Sequence, residues 1–182
     1  MLTSSFLFCM AMYTLNMPGS TQACGNAAAV IEESRKNNIP EEVLFALIYY
    51  ESRWTPRVTS PAGACGLTQV LPRYTKGTVG KYYSCKDLKD PETAIKVGAQ
   101  ILGQHYQSSG KNLNVALCKY NRGPYSKLCK SWRAKNHGIG YARKISRFSK
   151  AIKKNYEDIR YCLTLEEECC VDPHAQPKLF KY

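Results

Sequence analysis

Residues 40–52 read PEEVLFALIYYES, and this run constrains the fold more than any other. Val43, Leu44, Ala46, Leu47 and Ile48 place apolar groups on most sides of a helix. A helix apolar nearly all round must be wrapped by other elements rather than laid on a surface. Pro40 suits its first turn, and Glu41 and Glu42 favour its positive end. The helix is expected to close around Glu51 to Trp54, because Pro56 disfavours helical geometry just before it. Its last turn holds a single acid, Glu51, and the next acidic residue is Asp87, 35 residues of acid-free chain later.

The rest of the chain supplies the wrapping. Ala27, Val30 and Ile31 against the polar run EESRKNN give one buried face to a helix near Asn26 to Asn37. Asp90-Pro91-Glu92 combines an N-cap, a first-turn proline and a first-turn acid, and starts a helix that runs to about Gln107. A further helix is expected from near Asn112 to just before Gly123-Pro124, and a basic one from about Tyr141 to Tyr156. Leu67 to Val70 reads as a short helix that Pro72 interrupts or redirects, and residues 73 to 89 read as irregular. Strand-like alternation is scarce, so the class is mainly α. The length of 182 residues suits one domain with a sizeable core.

Phe6 to Leu15 is too short to span a bilayer and has the form of a secretory h-region. Small residues ahead of Cys24 allow cleavage after Ala23, although no Lys or Arg precedes Arg35. The expected organisation is therefore a signal or hydrophobic segment at 1–23, a domain at 24–156 and a Cys-containing tail at 157–182. Loss of residues 1–23 would leave eight of the nine cysteines, an even number that suggests disulfides formed in an oxidising compartment. There is no C-x-x-C pair, so His174 beside Cys169-Cys170 is a weak basis for zinc, and no metal or cofactor is expected. Residues 52–155 carry 21 basic residues against three acidic ones, a local charge of +18 that seeks an anionic partner. No aromatic-basic module supports a nucleic-acid role.

From its position alone Glu51 reads as a solvated residue at a helix end before it reads as a general acid, although two local features point to the acid. A helix C-terminus and apolar neighbours both disfavour its ionised form. The residues around it carry more information than its position. Glu51, Ser52, Trp54 and Pro56 are followed by Ser60, Pro61, Gly63, Ala64, Gly66, Leu67, Gln69 and Pro72, then by the block ALCKYNRGP at 116–124. This order, E-S-x-W-x-P, S-P-x-G-A-x-G-L-x-Q-x-x-P and A-x-x-Y-N-x-G-P, resembles the soluble lytic transglycosylases over roughly residues 26–155. Tyr141 matches that family's later tyrosine.

The resemblance implies a lysozyme-like α domain acting on the β-1,4 bond between N-acetylmuramic acid and N-acetylglucosamine in peptidoglycan, with a 1,6-anhydromuramyl product. It makes Glu51 the catalytic acid and then base, and it places Ser60, Gln69, Tyr120 and Asn121 along the substrate cleft. One acid suffices when the substrate supplies its own nucleophile, whereas ordinary glycosidases need two; Asp87, Asp90 and Glu92 remain candidates for a second. A goose-type lysozyme hydrolase and a non-catalytic wall-binding protein are the alternatives. Arg122 stands where relatives carry a small residue, and Leu71 where they often carry Met. Cys65 and Cys118 lie inside motif blocks and would brace the site if disulfide-bonded, with each other or elsewhere. The expected setting is the exported, periplasmic or envelope compartment, serving a secretion or conjugation assembly, with a bacteriophage virion as the alternative.

Overall fold

The computed structural model describes residues 3–129 and 138–164. Nine α-helices are seen among them: α1 (Ser4–Thr14), α2 (Ser20–Gly25), α3 (Ala27–Lys36), α4 (Glu41–Ser52), α5 (Pro72–Val79), α6 (Cys85–Leu88), α7 (Pro91–Gln107), α8 (Leu113–Arg122) and α9 (Gly138–Thr164). The described residues hold no regular strand, only isolated bridges Thr59–Cys65 and Cys65–Val70. The mainly α class read from the sequence holds.

Helix α4 is the centre of the core, as its composition requires. Leu44 to Ile48 are wholly buried, and Val43 and Tyr49 nearly so. Helices α3 and α9 pack against it, and α9 also touches α1 and α8. Asp90 caps α7 by accepting from the Thr93 amide at 2.9 Å, with Pro91 in the first turn. Asn112 does the same for α8 through the Val115 amide.

The end of α4 falls where expected, and four other local expectations are corrected. Helix α4 ends at Ser52, inside the expected window of Glu51 to Trp54, and the stop is made by the left-handed backbone angles of Arg53 and Trp54 (φ 53° and 60°) rather than by Pro56. Two such residues in succession are costly outside glycine. The reversal sends the Trp54 ring into the core against Phe45, at 5.7 Å between centroids, and lays the Arg53 guanidinium 4.1 Å above the Tyr49 ring. Leu67 to Val70 is a turn closed by the Cys65–Val70 bridge, not a helix. Pro72 opens α5 rather than interrupting anything, since a proline at the first helical position loses no hydrogen bond. Residues 73–89 accordingly contain most of α5 and all of α6, and α9 continues past Tyr156 to Thr164.

Three disulfides join Cys9–Cys24, Cys65–Cys85 and Cys118–Cys129. The two motif cysteines thus pair elsewhere rather than with each other. Cys162 is unpaired among the described residues, and Cys169, Cys170 and His174 lie outside them. Helix α1 belongs to the core. Ala11 and Met12 are fully buried, and Phe8 stacks on Phe45 of α4 at 4.7 Å. Asn155 of α9 donates to Thr14 Oγ1 at 2.7 Å, and the buried Ser20 hydroxyl donates to the Met12 carbonyl at 3.0 Å. The first disulfide bridges the helix and the residue just after the expected cut at Ala23.

Candidate active site

A cleft of about 890 Å³ opens at the C-terminal end of α4 and is bounded by α5, α7, α8 and the loop before α5. Glu51, Ser60, Gln69, Tyr120 and Asn121 all line it. The five positions expected from the sequence therefore converge, although they are spread over 71 residues of chain.

Glu51 is half-buried in the last turn of α4. Burial pushes its carboxyl from 4.5 up to about 7, against the opposing pull of a hydrogen bond from Tyr141. Desolvation penalises the charged form, and no cation partner offsets it among the described residues. The Tyr141 hydroxyl, at the head of α9, donates to Glu51 Oε1. Its own ionisation is pushed well above the usual tyrosine range, first by burial and then by the Glu51 charge, so it stays a donor. Tyr120 is held similarly neutral and donates to the Thr68 carbonyl at 2.8 Å. Thr68 is anchored in turn through its hydroxyl to the Ala94 carbonyl of α7, also at 2.8 Å. A buried rail from α7 through the loop thus sets the position of the Tyr120 ring.

The remaining side chains are partly committed to the loop. The Ser60 hydroxyl accepts from the Ala64 amide at 3.0 Å, closing the turn around Gly63. The Gln69 amide nitrogen donates to the Gly66 carbonyl at 2.9 Å. Among the described residues nothing bonds the Gln69 side-chain carbonyl, so that oxygen is its free acceptor in the cleft. Asn121 is exposed at the rim.

None of the three acids left open as a second carboxylate lines the cleft. Asp87 closes a capping box with Ser84, accepting from its amide at 2.8 Å and its hydroxyl at 2.7 Å. Asp90 is the α7 cap, and Glu92 is an exposed residue of the first turn of α7. Glu51 is the sole acid of the described lining. No cluster of described residues could hold a metal.

Two contributors escaped the sequence-based list. Tyr141 was visible as a family match, but its contact with Glu51 spans 90 residues. Thr68 acts through its backbone, which no side-chain pattern reveals. Replacing Tyr141 with Phe removes the donor that favours Glu51 ionisation, so the carboxyl rises further. The expected outcome is a descending limb of the kcat/KM–pH profile displaced to higher pH relative to wild type. An unmoved limb would deny the contact any electrostatic role.

Residues 28–141 match the family model of the Transglycosylase SLT domain. The chain belongs to that family. Its SLT domain is 40% identical over 91 residues to the soluble lytic murein transglycosylase of Escherichia coli K12, covering 47% of this chain and 14% of that protein. It is 34% identical over 97 residues to a membrane-bound lytic murein transglycosylase F of Yersinia enterocolitica, covering 50% of this chain and 19% of that one. The chain thus spans a small fraction of these relatives' length. The complex of the 70 kDa soluble lytic transglycosylase with bulgecin A superposes with a TM-score of 0.56 at 25% identity, over 81% of this chain and 26% of the other. The Pseudomonas aeruginosa Slt structure, an inactive E503Q mutant, gives a TM-score of 0.53 at 22% identity, over 81% and 25%, which supports the SLT domain's fold.

Proposed function

We propose that this SLT domain is a peptidoglycan lytic transglycosylase that cleaves the β-1,4 bond between N-acetylmuramic acid and N-acetylglucosamine. The observation carrying the proposal is the cleft's single carboxyl, Glu51, poised near neutral pH beside a tyrosine hydroxyl. Protonated Glu51 gives its proton to the departing glycosidic oxygen as the C1–O bond breaks. The carboxylate then takes the proton of the muramyl 6-hydroxyl, whose oxygen bonds to C1 and closes the 1,6-anhydro ring. Glu51 ends protonated, so the cycle is complete without water. A hydrolase of the ordinary kind needs a second carboxylate to activate water or attack the sugar, and the described lining offers none.

Digestion of purified sacculi followed by mass spectrometry tests this. The expected muropeptides are one water lighter than their reducing-end counterparts. Reducing-end products instead would assign the fold to a lysozyme-type hydrolase.

The same reading places the protein outside the cytoplasm, where its disulfides form. Local opening of the wall for a secretion, conjugation or virion assembly is the task such an activity suits. The packing of α1 supports its retention in the working protein, since cleavage after Ala23 would remove Phe8 and Met12 from the core and leave Cys24 without Cys9. Intact mass and N-terminal sequencing of native material decide between retention and cleavage. Among the described residues no helix is long and apolar enough to cross a membrane.

A further inference from the structure

The cleft is electrically one-sided. Its lining holds Arg73, Lys119 and Arg122 against the lone Glu51, whose carboxyl is itself half-neutral near pH 7. The three cations are not equivalent. Lys119 Nζ is turned back to the Ser108 carbonyl and hydroxyl, at 3.4 Å each. Arg73, in the first turn of α5, and Arg122, at the end of α8, are exposed and reach the cleft from two different elements. No described carboxylate pairs with either. Arg73 has only the neighbouring Tyr74 ring, 4.9 Å away.

A neutral polysaccharide gives two unpaired guanidinium groups nothing to bind as ions. A peptidoglycan strand that keeps its stem peptides does, because the stems leave the muramyl sugars and carry free carboxylates. Guanidinium is the cation best matched to a carboxylate, through two parallel N–H donors. We propose that Arg73 and Arg122 form an anion-reading rim that selects glycan strands bearing stem peptides with free carboxylates over stripped strands. The inference rests on the activity proposed above and names the substrate form it takes.

The test compares three substrates: peptide-bearing strands, strands stripped by an amidase, and peptide-bearing strands whose stem carboxylates have been amidated. Wild type should turn over the first with the highest kcat/KM, and the amidated strands should behave like the stripped ones. In R73A/R122A the ratio of kcat/KM on peptide-bearing to stripped strands should fall about 5-fold, the scale of two partly exposed ion pairs. The preference should also weaken with added salt. A control double variant, K96A/K111A, removes the same charge at exposed positions outside the cleft. The proposal is overturned by an unchanged ratio in R73A/R122A, by an equal fall in the control, or by amidated strands as good as the free acids. Absence of anhydro products from every substrate would instead sink the catalytic reading. Pelleting of the Glu51→Gln variant with peptide-bearing and stripped strands then still reads the rim, since equal binding of the two would overturn it.

Discussion

Replacing Glu51 with Gln is expected to remove wall-cleaving activity and at the same time make the protein more stable above pH 7. The amide keeps the volume and an acceptor for the Tyr141 hydroxyl, but has no proton to give and no charge to take one. A loss of about 10³-fold or more in kcat follows from the usual contribution of a general acid. The stability effect has the opposite sign. In the folded chain the carboxyl titrates at about 7 instead of 4.5. Between those values the folded chain holds a proton that the unfolded chain has released, so wild-type stability falls as pH climbs through this window and levels off above it. Gln has nothing to ionise and escapes that fall. Chemical denaturation at pH 5 and pH 8.5 should show the variant gaining about 2 kcal/mol on wild type between the two. An equal shift of both proteins with pH would show that Glu51 is not held neutral by burial. Retained activity would move the acid elsewhere.

Replacing Gly66 with Ala should be the most damaging single-methyl change in the loop that borders the cleft. Gly66 has φ +75°, where a side chain is already strained. A Cβ there would lie 1.7 Å from the Leu88 carbonyl oxygen, which belongs to the backbone of α6 and cannot turn aside. Leu88 is fully buried with Cys65, Val70 and Val97, and the Cys65–Cys85 disulfide fastens the same loop to the same helix. Loop and helix therefore cannot separate to make room. The expected cost is roughly 3–5 kcal/mol, a large part of an ordinary domain's stability. A urea midpoint close to that of wild type would mean the contact is looser than it stands. Gly66 also accepts from the Gln69 amide nitrogen, so any folded remainder should bind glycan poorly.

The sequence was most legible where one residue type does one job. Helix α4 could be read because its apolar groups leave no solvent face, and α7 because Asp90-Pro91-Glu92 can hardly begin anything else. Helix α5 was hidden. Residues 73–79, RYTKGTV, bury only Thr75, so there was no apolar stripe to see, and Pro72 is equally a stop or a start signal. The left-handed pair at Arg53 and Trp54 follows from burial of an indole ring, a tertiary demand that no local pattern encodes. The cleft shows the same division. Its lining residues were visible as a motif, whereas the Tyr141–Glu51 contact and the Ala94–Thr68–Tyr120 rail are long-range and half made of backbone. The stretch from Phe6 to Leu15 marks a real ambiguity. An export h-region and a core helix both draw on an apolar run, and in the fold this one packs against α4 and α9.

That packing bears on how the protein is to be handled at the bench. The backbone of Gly19 lies so close to the Arg53–Trp54 turn that a Cβ would come within 2.6 Å of the Arg53 carbonyl oxygen and 2.7 Å of Trp54 Cβ. That turn begins two residues after Glu51. An expression clone trimmed to start at Cys24 would lack Gly19 and lose this contact behind the turn that follows Glu51.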